Sequence, residues 1–161
     1  DAISGYDQVD AVGFSMGAQL LLRLAGREPQ RFAKLITIGV GNGVVDPDAG
    51  SGIRADRFLD ETSEDAVSQL FLRMLKSAGN DAASVRGFLD YGRQHPGGRA
   101  QVERIACPTL VLIGDKDFAA PADKLAAAIP GAALVTLRGV DHFSAVNDFA
   151  CLDAALRFLA E

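Results

Sequence analysis

The chain has 161 residues, enough for one globular domain with a sizeable core and too few for two ordinary ones. With 48% hydrophobic and 23% charged residues it has the composition of a soluble globular protein. A net charge of −5 argues against a nucleic-acid or anionic-membrane partner, and no apolar run is long enough to span a bilayer.

The first apolar run, QVDAVGF at 8–14, predicts a strand. Residues Met16–Arg27 follow with helical spacing of Met16, Leu20, Leu21 and Leu24, and Pro29 is the expected stop. KLITIGV at 34–40, TLVLIGD at 109–115 and ALVTLRG at 133–139 predict three more strands. Rich in Val, Ile and Leu without strict alternation, these runs suit parallel strands buried on both faces. Pro121–Ile129 predicts a helix with proline in its first turn, and Phe149–Leu159 one with Phe149, Leu152, Leu156 and Leu159 along a single apolar stripe. Strands alternating with helices give an α/β fold with a mostly parallel sheet. The long stretch between the second and third strands breaks that rhythm. TSEDAVSQLFLRMLKSAG opens on Thr62-x-x-Asp65, a capping-box-like start, and DAASVRGFLDYGRQ follows Gly79-Asn80. Residues 45–104 therefore read as a helical cap inserted into one domain, 1–161.

In GFSMG, Gly13 to Gly17, a serine stands between a predicted strand and a predicted helix. This is the setting of the Gly-x-Ser-x-Gly nucleophile elbow. Flanking glycines relieve crowding where strand turns into helix, and the serine is held strained with its hydroxyl exposed. Met16, at the helix start, offers a backbone N–H to an oxyanion. A serine nucleophile needs a base, and the base an orienting acid. Of the two histidines, His142 follows the fourth strand and lies on the carboxyl edge of the sheet, where Ser15 also falls. His95 reads as a helix-end or solvent-facing residue. Asp117, past the third strand, is placed to reach His142, while Asp115 and Asp141 read as turn residues. Asp46 and Asp48, after the second strand, are the other positions for an acid.

VGFSMGAQLLLRLA, LVLIGDKDFAAP and LRGVDHFSAV resemble the elbow, acid loop and histidine loop of the α/β-hydrolase superfamily. Within it, they look like the small capped esterase and lipase-like members and the cofactor-free perhydrolases, also called haloperoxidases. The resemblance implies a partial α/β-hydrolase fold with Ser15 as nucleophile, His142 as general base and then acid, and Asp117 as orienter. The order Ser15, Asp117, His142 is that expected for the fold. It implies acyl transfer through an ester on Ser15, with ester hydrolysis as the first reading and peroxide-dependent perhydrolysis as the second. A third reading is a non-catalytic remnant serving as an oligomerisation or binding module. The family's sheet has further strands before the elbow strand, and a loop among them gives the second oxyanion N–H. Neither is in this sequence, which lacks an initiator Met and reads as a piece of something longer.

The elbow strand is consequently expected at a sheet edge, and a two-fold homodimer is expected to cover that edge. Phe14, Val44 and Phe143 flank the motifs and are candidates to line a pocket for a small apolar acyl substrate. IGVGNGV at 38–44 lacks the spacing of a dinucleotide loop, because Val44 stands where a third glycine belongs, and reads as a flexible turn. No cofactor and no metal are expected, since no Cys, His and carboxylate residues have ligand spacing. Cys107 and Cys151 read as reduced, buried thiols, and the protein as cytoplasmic.

Overall fold

In the computed structural model the residues described are 5–46, 59–79, 81–94 and 98–161. The chain divides into two compact units, residues 1–51 with 97–161, and residues 52–96.

The first unit is built on four parallel strands. They are β1 (Val9–Phe14), β2 (Phe32–Ile38), β3 (Thr109–Gly114) and β4 (Ala133–Leu137), side by side in sequence order. In register, Val12 pairs with Ile36, Ile36 with Leu110, and Leu110 with Ala133. Four helices flank the sheet: α1 (Met16–Arg27), α4 (Gly98–Val102), α5 (Asp123–Ala128) and α6 (Phe149–Ala160). Between them, α2 (Ala66–Ser77) and α3 (Ala82–Gln94) belong to the second unit.

Strand alternation divides the core in two. Leu35, Val111 and Ile113 join Ala18, Leu22 and Ala25 of α1 and Leu125 of α5 in the larger cluster. Ile36, Ile38, Leu110 and Leu112 form the smaller one with Cys151 of α6. Both central strands are thus buried on both faces, which explains their nearly continuous apolar sequence. Thr37, fully buried on β2, has an Oγ1 without a hydrogen-bond partner among the described residues. Among the described residues β1 pairs on one side only, with β2, and stands at the edge of the four-stranded sheet.

Several local expectations change. β2 begins at Phe32, two residues before the apolar run. Helix α5 starts at Asp123 because Asn42 supplies its cap from a distant loop: the Asn42 side-chain carbonyl accepts the N–H groups of Lys124 and Leu125 (2.9 and 3.2 Å). Pro121 stands before that helix rather than in its first turn. The same contact ties the buried Asn42, first residue of a short 3₁₀ turn at 42–44, to the start of α5. On α6 the apolar stripe does not mark the buried face, since Phe149, Leu152 and Leu156 are exposed and Cys151 is buried. Lys34 sits at the end of that helix, donating from Nζ to the carbonyls of Phe158 and Leu159. This satisfies two terminal acceptors that the helix cannot bond itself.

In the second unit Asp65 stands just before α2, and its carboxylate accepts the Ser68 N–H and so caps the helix in place of Thr62. Thr62 instead donates to Asp60. Asp81 caps α3 by accepting the N–H groups of Ala83 and Ser84. Helix α4 lies in the first unit, where Gln101 packs on Gly26 of α1 and donates to the Arg23 carbonyl. Among the described residues no helix is long and apolar enough to cross a membrane.

Candidate active site

The residues singled out at the carboxyl edge of the sheet come from three loops. Ser15 is the hinge between β1 and α1, with φ 52° and ψ −116°, the only non-glycine residue of positive φ among those described. This costs about 1–3 kcal/mol for an L-residue. The turn is pinned by the Ser15 N–H, which donates to the Ile38 carbonyl (2.8 Å). Gly13 is required by space, as a Cβ there would lie 2.8 Å from the Ala18 backbone. Gly17 is not, because nothing stands within 4 Å of the position a Cβ would take. Only one of the two elbow glycines therefore answers to crowding.

Asp117 sits in a tight turn after β3. Its N–H donates to Gly114 O, its carbonyl accepts Ala120 N–H, and its Oδ1 accepts Ala119 N–H (2.8 Å). His142 follows β4 in a turn organised by Asp141, which accepts the N–H groups of Phe143 and Ser144 and the Ser144 hydroxyl. Those bonds from Ser144 hold the Asp141 carboxyl below the usual carboxylate range. The two loops are joined to each other. Asp115 and Lys116 donate their N–H groups to Leu137 O and Val140 O, and Asp115 Oδ1 accepts the Gly139 N–H. Asp115 and Asp141 are thus turn residues, as their positions implied.

The loops must cross the sheet to meet. Ser15 follows the first strand and His142 the fourth, three interstrand spacings of about 4.8 Å away. The imidazole spans that distance by lying over Gly39, at the end of β2, where the absence of a Cβ leaves room. There Ser15 Oγ and His142 Nε2 are 2.9 Å apart, and His142 Nδ1 is 2.9 Å from both oxygens of Asp117. With the proton on Nδ1, that N–H donates to the carboxylate and Nε2 accepts from the serine hydroxyl. His142 and Asp117 are 4% and 5% exposed, so little water competes for their hydrogen bond.

The structure thus brings together Ser15, Asp117 and His142. Met16, as the first residue of α1, has an N–H beside Ser15 that no helix carbonyl can accept. Phe14 and Phe143 both touch the imidazole, with ring centroids 4.9 and 5.4 Å from it. Val44 is not among these contacts and packs against the larger core cluster. Asp46 pairs with Lys124 (2.7 Å). Asp48 and His95 lie outside the described residues. Phe118 was not anticipated, although among the described aromatic rings its centroid is nearest to that of the imidazole, at 4.2 Å. Its signal was a large apolar residue directly after the acid in an otherwise small or polar loop. Among the described residues no group of His, Cys, Asp and Glu could hold a metal ion. Both cysteines are buried and unpaired, their thiols pushed up by desolvation.

Comparison with known proteins agrees with this architecture. A hydrolase from Pseudomonas aeruginosa PA01 is 26% identical, superposes with a TM-score of 0.72, and matches over 96% of this chain and 66% of its own. A bromoperoxidase from Bacillus anthracis shares the fold at 21% identity and TM-score 0.65, over 98% of this chain and 69% of its own. So does the enol-lactonase from Burkholderia xenovorans LB400, at 21% identity and TM-score 0.64, over 96% and 66%. The chain spans about two thirds of the length of these structures. No curated protein sequence matches it. The sequence profile described as the Alpha/beta hydrolase family matches residues 1–154, and the chain belongs to that family.

Proposed function

We propose that the protein is a serine hydrolase, cleaving an ester or related acyl bond in a small, largely apolar substrate. In the proposed reaction Ser15 Oγ attacks the acyl carbonyl carbon as its proton passes to His142 Nε2. The carbonyl π electrons move to oxygen, and the Met16 N–H faces the resulting oxyanion. As the tetrahedral intermediate collapses, the bond to the leaving group breaks and His142 returns the proton to it. An acyl ester remains on Ser15, and water, activated by His142 in the same way, releases the acid. Asp117 keeps the imidazole in the tautomer that accepts from serine and offsets its charge once protonated.

The single observation that carries this reading is the continuous path from Ser15 Oγ through both ring nitrogens of His142 to Asp117, each step 2.9 Å. The strained φ of Ser15 supports it, since an ordinary turn needs no such conformation. The phenylalanine rings beside His142 support an apolar substrate. The test is intact mass after exposure to an alkyl fluorophosphonate, with Ser15→Ala as control. One adduct that disappears in the variant is expected; folded wild-type protein without an adduct overturns the reading.

A further inference from the structure

The hydrogen-bonding edges of His142 are both occupied, Nδ1 by Asp117 and Nε2 by Ser15, which leaves the faces of the imidazole to be held by something else. Among the described residues the nearest aromatic ring is that of Phe118. Its centroid lies 4.2 Å from the imidazole centroid, with the two planes 35° apart, closer to stacked than to edge-on. Phe14 is tilted similarly, at 38°, but its centroid is further off at 4.9 Å, and Phe143 meets the imidazole edge-on at 86°.

Phe118 has little freedom to be elsewhere. Its neighbours Asp117 and Ala119 are fixed by the turn bonds of Asp117, so the residue that supplies the acid also fixes the start of the aromatic side chain. The Phe118 side chain is partly buried and packs on the larger core cluster, which supports it from below. The charged groups around His142 are Asp117, in contact with it, and Asp141, whose carboxylate is turned to the Phe143 and Ser144 N–H groups. No cation on the described elements is bonded to it. When Nε2 takes the serine proton, the ring becomes a cation within the roughly 6 Å over which an aromatic face attracts one.

We infer that Phe118 is a positioning residue for His142, holding the plane of the imidazole and stabilising the imidazolium that forms in the transition state. This rests on the serine-hydrolase reading, because only proton uptake from Ser15 makes that cation. It extends the reading, for it assigns to the protein's acid loop two partners for one histidine: a carboxylate at its edge and a π face above its plane.

The test is the reaction with an alkyl fluorophosphonate, in which the Oγ–P bond forms, the P–F bond breaks, fluoride leaves and the serine proton goes to Nε2. Rates at several reagent concentrations separate KI for binding from kinact for the chemical step. Three replacements are compared with the wild type: Phe118→Leu, Phe118→Tyr, and pentafluorophenylalanine at 118, which keeps the shape and reverses the charge distribution of the ring. The pentafluoro and Leu variants are expected to lose about 2- to 30-fold in kinact with KI unchanged, and Tyr to stay within about twofold of wild type. Should Phe118→Leu fail to fold, the pentafluoro protein, of conserved shape, decides alone. Wild-type kinact in the pentafluoro protein, or a loss confined to KI, overturns the inference while leaving the hydrolase reading intact. An unreactive wild-type Ser15 overturns both, and so the two failures are told apart.

Discussion

Gly39→Ala tests how the loops meet over the sheet. Gly39 has φ +70°, so alanine there costs about 1–2 kcal/mol in backbone conformation alone. Its Cβ would also lie 2.9 Å from Phe14 Cε2, 3.1 Å from His142 Cε1 and 3.2 Å from His142 Nδ1. These separations are a few tenths of an ångström inside ordinary contact, and the imidazole must give way by about that much. The Ser15–His142 distance, now 2.9 Å, then moves toward the roughly 3.2 Å limit of a good hydrogen bond. Weakening one such bond is worth about 0.5–1.5 kcal/mol, or about 2- to 10-fold in rate. Gly131→Ala is the control, because Gly131 has the same φ of +70° and nothing within 4 Å of its would-be Cβ. Both variants should melt about 2–8 °C lower than wild type by calorimetry. Only Gly39→Ala should label more slowly with fluorophosphonate, measured well below either melt. If the two variants label equally fast, the imidazole does not lie over Gly39 and the account of how the loops meet is refuted.

Asp117→Asn should slow labelling by about 10⁴-fold with little change in far-UV circular dichroism, because an amide NH₂ facing Nδ1 favours the tautomer that cannot accept from Ser15; a loss under tenfold contradicts the role given to Asp117. Thr37→Val keeps the shape of the side chain and removes a buried hydroxyl without a partner, so it should raise the urea midpoint, by up to about 1 kcal/mol in stability. A lower midpoint would mean that the hydroxyl is satisfied. The thiols of Cys107 and Cys151 have pKa values raised by burial, so the stability they contribute is complete below the unfolded thiol value of about 8.5 and is lost as pH rises from there toward the folded values. Urea midpoints should therefore fall above about pH 8.5, and folded protein should resist thiol reagents at pH 7. Rapid modification of either cysteine in folded protein would show that it is not buried.

Much of this was legible because it depends on near neighbours in sequence. Apolar runs buried on both faces announce parallel strands, and the carboxyl ends of those strands name Ser15, Asp117 and His142 without a coordinate. What failed depends on residues that only the fold brings together. Asn42 caps a helix from 82 and 83 positions away, and no rule of spacing could move that helix start from Pro121 to Asp123. The stripe on α6 misled because Phe149 and Leu156 make an apolar pattern whichever way the helix faces, and the sheet selected the side bearing Cys151. Phe118 escaped notice because motif reading looks for groups that exchange protons, and an aromatic ring only surrounds them.

The conformation of Ser15 has a consequence for how such a chain can change over generations. Glycine adopts its φ freely, so Ser15→Gly should stabilise the protein by about 1–3 kcal/mol while removing the hydroxyl. Thermal melts of the two proteins measure that difference directly, and an unstabilised glycine variant would show that the turn is relaxed as it stands. If it is strained, then a lineage with no use for the hydroxyl would have a short mutational route to a sturdier fold, and drift would tend to take it. On the proposed reading, Ser15 stands where folding and chemistry compete, and this sequence has the less stable choice there.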